Sequence, residues 1–191
     1  MAELINMRNG RSSKMEIQTI VDMCSARNKR DILNVLEVGV YRGESSKVFL
    51  DSGKIGIFYA VDPWVQGYDD ADAASTTDMH EVEEEFNNRI MLRYSNVVKH
   101  KGTLETFKDT DFRHIDLVYI DGSHKYEDVL NDIKIVRDRI NPTIAICGHD
   151  FFWKEGDKMS VQQAVYGTIG APDVILGMSS WIKFMNIHSW T

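Results

Sequence analysis

The stretch ILNVLEVGVYRGESSKVFLDSG, residues 32–53, decides the fold. It opens with an apolar run rich in β-branched residues that ends at Gly39, and a polar turn then leads to Gly43. The residues ESSKVFLD predict a helix that ends at Gly53, because glycine is common just past a helix C-terminus. The stretch therefore predicts a buried strand, a tight glycine turn and a helix, which together begin a strand–helix–strand unit.

The same alternation continues along the chain. The apolar runs IGIFYAVD, DLVYID and TIAICGHD predict further strands, and segments with helical periodicity separate them. Strands that alternate with helices predict a parallel sheet built from right-handed crossovers. We interpret residues 1–191 as one doubly wound α/β domain, with an N-terminal helical extension at residues 1–30 and a core at residues 31–191.

Two segments outside these units have their own patterns. Ser13 and Glu16 have the spacing of a capping box, which predicts a helix over residues 14–26. The segment VQGYDDADAASTT, residues 65–77, is polar and acidic, and we expect it to be an exposed insertion.

Composition narrows the class of protein. Lys and Arg number 22 against 29 Asp and Glu, so the net charge is −7, which argues against a nucleic-acid partner. The 2 cysteines lack metal-ligand spacing and fit a reducing compartment. We find neither an apolar leader nor a run long enough to span a membrane, and we expect a cytoplasmic protein without a membrane partner.

The ends of the first two strands suggest an adenosine-containing ligand. Ligands of doubly wound sheets bind beyond the carboxyl ends of the strands, where Glu37, Gly39 and Gly43 lie. Tyr41 occupies the place of the middle glycine of the dinucleotide pattern, and Glu37 would repel a pyrophosphate but suit a positively charged ligand. Asp62, which ends the second strand, can accept both hydroxyls of a ribose.

The next two strand ends carry acids and histidines. Asp121 closes one strand and His149 with Asp150 closes the next, so a parallel sheet would bring the three side chains to one edge. Two carboxylates and an imidazole can bind a divalent cation, Mg²⁺ or Mn²⁺, and the imidazole shifts the preference away from strict Mg²⁺.

Four motifs, VLEVGVYRGESS, YAVDPW, IDGSHKYEDVLNDI and CGHDF, are similar to class I S-adenosylmethionine-dependent methyltransferases, and more narrowly to their small branch of metal-dependent sugar O-methyltransferases. The resemblance implies a Rossmann-like, mostly parallel seven-stranded sheet with helices on both faces and an antiparallel last strand. It also implies an enzyme that moves a methyl group from S-adenosylmethionine to a hydroxyl of a small acceptor, such as a sugar.

The resemblance further implies a role for each motif residue. Glu37 and Gly39 would contact the methionine part of the cofactor, Gly43 and Ser45 would shape the loop, Asp62 would hold the ribose, and Pro63, Trp64, Thr103 and Leu104 would surround the adenine. Apart from the resemblance, Tyr41 is a candidate to cover the methionine end. Asp121 would bind the metal together with His149 and Asp150, and His124, three residues beyond Asp121, would be the catalytic base.

Other interpretations stay open at this point. Each glycine can be an ordinary turn residue and each acid a helix cap or turn cap. The chain can also be a cofactor-binding module without methyl transfer, whether regulatory or a partner subunit. A nicotinamide-dependent oxidoreductase is disfavoured by the missing glycine, and a metal hydrolase would work without a nucleoside cofactor. The small size is compatible with a homodimer.

Overall fold

The computed structural model describes residues 2–29, 31–69, 73–156, 158–177 and 179–185. The strands are β1 (Leu33–Val38), β2 (Ile55–Asp62), β3 (Val97–Lys101), β4 (Leu117–Ile120), β5 (Ala145–Gly148), β6 (Lys154–Glu155), β7 (Lys158–Met159), β8 (Val174–Leu176) and β9 (Ser180–Phe184). Seven of them form one sheet in the order β3-β2-β1-β4-β5-β9-β8, and β6 pairs with β7 in a separate hairpin.

Strand directions confirm the expected fold class. β1 to β5 pair in parallel, whereas β9 is antiparallel to both of its neighbours, β5 and β8. The prediction of a mostly parallel seven-stranded sheet with an antiparallel last strand is therefore confirmed.

Helices cover both faces of the sheet, as predicted. They are α1 (Ala2–Ser25), α2 (Glu44–Asp51), α3 (Met79–Phe86), α4 (Leu104–Phe107), α5 (Tyr126–Ile135) and α6 (Ser160–Ile169), with π-helical turns at Asn87–Met91 and Val136–Ile140 and a 3-10 helix at Ala73–Thr76. The side chains of α1, α2 and α3 pack in one buried core, and those of α4, α5 and α6 pack in another. Within the described ranges, no helix is both long enough and apolar enough to cross a bilayer.

The first helix differs from the sequence prediction. Because α1 begins at Ala2, Ser13 and Glu16 lie inside it, and the predicted start at residue 14 was wrong. The Glu16 carboxylate instead accepts hydrogen bonds from the backbone N–H and the hydroxyl of Ser180. A serine and a glutamate three residues apart also share one face within a helix, so the spacing alone does not mark a helix start.

The predicted insertion is exposed only in part. Residues 65–68 are exposed, but Asp69 is buried, with 5% of its surface accessible. The expectation of an exposed segment was therefore wrong at Asp69, because this carboxylate turns inward onto the strand ends. Residues 70–72 of the same predicted segment lie outside the described part of the chain.

Strand register aligns the residues that were singled out in the sequence. Val38 pairs with Val61 and with Ile120, and Ile120 pairs with Gly148. Because these pairs lie at the strand ends, or in β2 one residue before the end, the residues that follow them emerge along the same edge of the sheet. These residues are Gly39, Asp62, Asp121 and His149.

The turns after β1 and β4 approach each other closely at Gly39. A Cβ atom on Gly39 would lie 2.2 Å from the backbone oxygen of Asp121 and 2.6 Å from the Cα of Gly122. Gly39 also has a φ of 84°, in the left-handed region where glycine is favoured. The backbone contact therefore requires glycine at position 39 for both conformation and space.

We expect Gly39→Ala to destabilise the protein more than Gly53→Ala, which is a matched control. Gly53 has a φ of 70°, and an added Cβ atom would meet nothing within 4 Å, so its substitution costs only the left-handed conformation, about 1 kcal/mol. Gly39→Ala adds a backbone clash, which costs a further ~1–3 kcal/mol. Urea unfolding of both variants measures the difference, and equal losses would contradict the close-approach argument.

Candidate functional site

A cavity of about 500 Å³ opens at the carboxyl ends of the parallel strands. Its walls come from the turns after β1, β2, β3, β4 and β5, from α1 and from the segment after β2. Most of the predicted site residues line it: Gly39, Tyr41, Ser45, Asp62, Pro63, Thr103, Leu104, Asp121, His124, His149 and Asp150. A cavity of this size is in the range for small-molecule and cofactor sites, about 300–1,000 Å³.

Asp62 joins the turns after β1 and β2. One carboxylate oxygen, Oδ2, accepts the backbone N–H of Tyr41 at 2.9 Å, and Oδ1 accepts that of Trp64 at 2.7 Å. Burial raises the pKa of Asp62, while these backbone donors favour its charged form. Because a carboxylate oxygen can accept more than one hydrogen bond, both oxygens can still accept from a ligand.

Backbone strain is concentrated at the strand ends. Tyr41, Trp64 and Asp150 have φ values of 48°, 44° and 52°, a region that non-glycine residues enter at a cost of about 1–3 kcal/mol each. Each of these residues lies in a turn that follows a strand, and Tyr41 and Asp150 line the cavity. Such strained residues are typical of ligand-binding sites.

Glu37 lies behind the cavity wall rather than on it. Its side chain is fully buried, its Oε2 accepts the Ser46 hydroxyl, and its Oε1 lacks a hydrogen-bond partner within the described residues. Burial raises the pKa of Glu37 from 4.5 to about 8, although the hydroxyls of Ser45 and Ser46 favour the charged form. An unpaired buried oxygen beside a cavity is a feature that a ligand or ordered water can satisfy.

Two further predicted cofactor residues, besides Glu37, lie outside the cavity. The Trp64 ring packs in the core against Phe86, with ring centroids 5.2 Å apart, and its indole N–H donates to the Tyr41 carbonyl. Gly43 precedes α2 and faces Ile90, whose Cγ1 would lie 2.6 Å from an added Cβ atom. Both residues shape the turns, and neither of them lines the cavity.

Three side chains converge at the other end of the cavity. Asp121, His124 and Asp150 each offer a ligand atom, and these atoms lie within 4.8 Å of one another. The predicted metal set contained His149 in place of His124. His149 is close as well, because its Nδ1 lies 3.1 Å from Asp150 Oδ2 and 3.8 Å from Asp121 Oδ1.

Charge in this cluster is shared between the acids and the histidines. Burial disfavours the charge on His149, but its hydrogen bond to Asp150 and the charge of Asp121 outweigh this effect and raise its pKa to about 9. Burial acts in the same way on His124, whose pKa is nevertheless raised by Asp150, Asp121 and Asp69. Burial of Asp150 disfavours its charged form, but the two histidines outweigh this effect and hold its pKa well below its usual range.

Sequence reasoning missed Asp69 as a site residue. Its Oδ2 accepts the backbone N–H of His124 at 2.8 Å and lies 3.3 Å from the imidazole Nδ1. The only signal in the sequence was the acidic composition of residues 65–77, and this composition predicted an exposed segment. The Trp153 ring stacks on the His124 imidazole, with ring centroids 4.2 Å apart. Phe151, two residues earlier, is buried in the core.

The cavity has a strongly acidic lining. Among the described residues, six carboxylates line it, those of Glu44, Asp62, Asp69, Asp121, Asp132 and Asp150, against one lysine, Lys14. A ligand that carries positive charge, or a divalent cation, would reduce the repulsion among these groups. The donor set is therefore suited to both kinds of ligand.

Comparison with known families agrees with this geometry. The family model Methyltransf_24, described as a methyltransferase domain, matches residues 36–151, more than half of the chain. A search of curated proteins gave no match.

Solved structures show the same fold at low sequence identity. The O-methyltransferase NovP is 14% identical with a TM-score of 0.66, and the alignment covers 91% of this chain and 79% of NovP. An SAH-bound methyltransferase of Podospora anserina, PaMTH1, is 13% identical with a TM-score of 0.56, covering 92% of this chain and 88% of PaMTH1. An O-methyltransferase of Bacillus cereus in complex with SAH is 14% identical with a TM-score of 0.51, covering 81% of this chain and 65% of that protein.

We expect Glu37→Gln to flatten the dependence of stability on pH. Between the ordinary pKa of 4.5 and the folded value of about 8, the folded protein keeps a proton that the unfolded chain releases. Wild-type stability is therefore greatest below the lower value and falls as the pH rises through the upper one, by up to a few kcal/mol. The glutamine variant has no proton to release at this position.

Urea unfolding between about pH 5 and pH 9 measures this effect. The quantity to compare is the difference in free energy of unfolding between wild type and variant, which should change with pH. Glu127→Gln, at an exposed position on α5, is the control and should follow the wild-type curve. Parallel curves for wild type and Glu37→Gln would show that Glu37 is not protonated in the folded state.

Proposed function

Because this chain belongs to the family of methyltransferase domains that its sequence matches, we propose that it transfers the methyl group of S-adenosylmethionine to a hydroxyl oxygen of a small acceptor. The acceptor class we propose is a sugar with neighbouring hydroxyls. The observation that carries the proposal is the single cavity shared by the Asp62 turn and the Asp121–His124–Asp150 cluster. One end is suited to a nucleoside, and the other is suited to deprotonating a hydroxyl.

The cofactor would occupy the end of the cavity formed by β1, β2 and β3. Asp62 can accept the ribose hydroxyls with the free lone pairs of its anchored carboxylate, and Pro63, Thr103 and Leu104 form walls for an adenine. The acidic lining favours the positive sulfonium and ammonium groups, and Gly39 lets the methionine part approach the backbone. S-adenosylmethionine supplies an electrophilic methyl group when bound.

The acceptor would lie beside the acid–histidine cluster. We propose that Asp121 and Asp150 hold a divalent cation, Mg²⁺ or Mn²⁺, and that a histidine completes the set. The bound cation would neutralise the clustered carboxylates and lower the pKa of an acceptor hydroxyl. His149 can present Nδ1 to this set, since its Nε2 is engaged by the Ser179 hydroxyl at 2.8 Å.

His124 is the base in this proposal. Its Nε2 lies at the cluster, 2.9 Å from Asp150 Oδ2. With Asp150 holding the cation, Nε2 would be free to take the hydroxyl proton as the oxygen attacks the methyl carbon and the sulfur–methyl bond breaks, which leaves S-adenosylhomocysteine. A positioned base of this kind contributes about 10²–10⁴ in rate. The Trp153 ring covers one face of the imidazole and helps to keep its plane fixed.

We expect Asp62→Ala to weaken SAH binding at least about tenfold, which is the loss of one or two good hydrogen bonds to a charged group. Isothermal titration calorimetry with SAH measures it. Asp173→Ala is the matched control, because Asp173 also accepts a backbone N–H, from Phe184 at 2.8 Å, but lies outside the cavity. If Asp62→Ala bound SAH with wild-type affinity, the proposal that the cofactor binds in this cavity would be contradicted.

We expect Asp121→Asn and His124→Ala to keep SAH affinity and to lose turnover, by about 10²-fold or more for His124→Ala. Transfer of a deuterated methyl group to a panel of sugars, with Mg²⁺ or Mn²⁺ and after chelation, measures the activity by mass spectrometry. SAH binding without transfer to any hydroxylated acceptor would favour the alternative of a cofactor-binding module that does not catalyse methyl transfer.

A further inference from the structure

Asp69 contacts the proposed base from the segment that follows β2. Its side chain is buried, with 6% of its surface accessible, and its Oδ2 is near three donors of one turn. These are the backbone N–H of His124 at 2.8 Å, the imidazole Nδ1 at 3.3 Å and the Ser123 hydroxyl at 3.4 Å, whose single hydrogen has a nearer acceptor in Asp128 at 2.7 Å. A buried carboxylate oxygen that meets several donors of one residue pair fixes their relative positions.

The imidazole is held on its remaining sides as well. Nε2 lies 2.9 Å from Asp150 Oδ2, the Trp153 ring is stacked on one face, and Ser160 donates its hydroxyl hydrogen to the His124 carbonyl at 2.7 Å. Only 11% of the His124 side chain is accessible. Asp69 is therefore the group that contacts the Nδ1 edge of the ring, the edge that faces away from Asp150.

We propose that Asp69 is a positioning residue that holds the His124 imidazole through Nδ1–H, so that Nε2 is directed at the reacting end of the cavity. The inference rests on the proposed function, in which Nε2 takes the proton of the acceptor hydroxyl while Nδ1 keeps its own. A neutral imidazole has one N–H and one lone pair, and the hydrogen bond made by one nitrogen determines which nitrogen carries the lone pair. When Asp150 holds the cation and no longer accepts from Nε2, the anchored Asp69 carboxylate would leave the lone pair on Nε2.

The same turn offers a matched control. Asp128 accepts the Ser123 hydroxyl at 2.7 Å and makes no hydrogen bond to His124 among the described residues. If Asp69 merely stabilised the turn, removing either carboxylate would have similar consequences. If Asp69 positions the ring, only its removal changes the imidazole.

Nuclear magnetic resonance of the ¹⁵N-labelled histidine rings tests the inference without any activity. In wild type and in Asp128→Ala, we expect a Nδ1 proton on His124 that is protected from exchange with water, and in Asp69→Ala we expect this protection to be lost. Asp69→Asn keeps an acceptor oxygen and should retain it in part. A protected Nδ1 proton in Asp69→Ala, or its equal loss in Asp128→Ala, would overturn the proposal.

Turnover gives the second test. Asp69→Ala should lower kcat by about 10- to 100-fold, the usual cost of removing the partner that orients a functional histidine. SAH affinity and the acceptor KM should change by less than about two-fold. In a His124→Ala background, Asp69→Ala should lower the remaining rate no further, because its effect acts through the imidazole.

A full additional loss of rate in the His124→Ala background would overturn the positioning role. Absence of methyl transfer in the wild type would count against the proposed function, but the protected Nδ1 proton would still decide the role of Asp69. The failures of the two proposals are therefore distinguishable.

Discussion

The close approach of the turns after β1 and β4 is the constraint on which the site depends. Only a hydrogen atom at Gly39 permits it, since a methyl carbon there would lie 2.2 Å from the Asp121 carbonyl oxygen. The turn after β1 presents the nucleoside end of the cavity, and the turn after β4 presents Asp121 and His124. In the proposed function, their contact would set the distance between a bound methyl donor and the groups that activate an acceptor, and in-line transfer tolerates little error in that distance.

Electrostatics adds a second constraint, because the same edge of the sheet gathers carboxylates. Glu37 relieves part of the repulsion by holding a proton, since burial raises its pKa to about 8. The pKa of Asp150 is instead lowered, because two histidines contact its carboxylate and favour the charged form. Repulsion among the carboxylates of one compact site is thus reduced in two ways. Glu37 is protonated, and the charge of Asp150 is balanced by the histidines.

Much of this arrangement could be predicted from the sequence. Apolar runs that end in Gly39, Asp62, Asp121 and Asp150 predict strands and place these residues at one edge, because parallel strands share a direction. The start of α1 could not be predicted in this way, since Glu16 reaches a strand pair formed by residues far along the chain. Asp69 was missed for the same reason, as only the folded chain brings it to His124.

The Trp64 assignment shows a further limit of reasoning from strand ends. The residue follows Asp62 closely enough to suggest contact with a bound adenine, but a positive φ of 44° turns its ring into the core against Phe86. Position along the chain gives the level at which a side chain leaves the sheet. The direction in which it leaves depends on backbone angles and packing that the sequence pattern does not contain.

The two histidines show why residue type and spacing do not assign chemistry. His124 and His149 both contact Asp150 Oδ2, at 2.9 Å and 3.1 Å, and they are distinguished by what binds their other ring nitrogens. A carboxylate faces Nδ1 of His124, whereas a neutral hydroxyl faces Nε2 of His149. Carboxylates therefore contact both nitrogens of the His124 ring, whereas His149 contacts carboxylates through Nδ1 alone. We therefore propose that His124 is the proton acceptor and that His149 binds the cation, and this difference rests on Asp69, which lies in none of the four motifs quoted from the sequence.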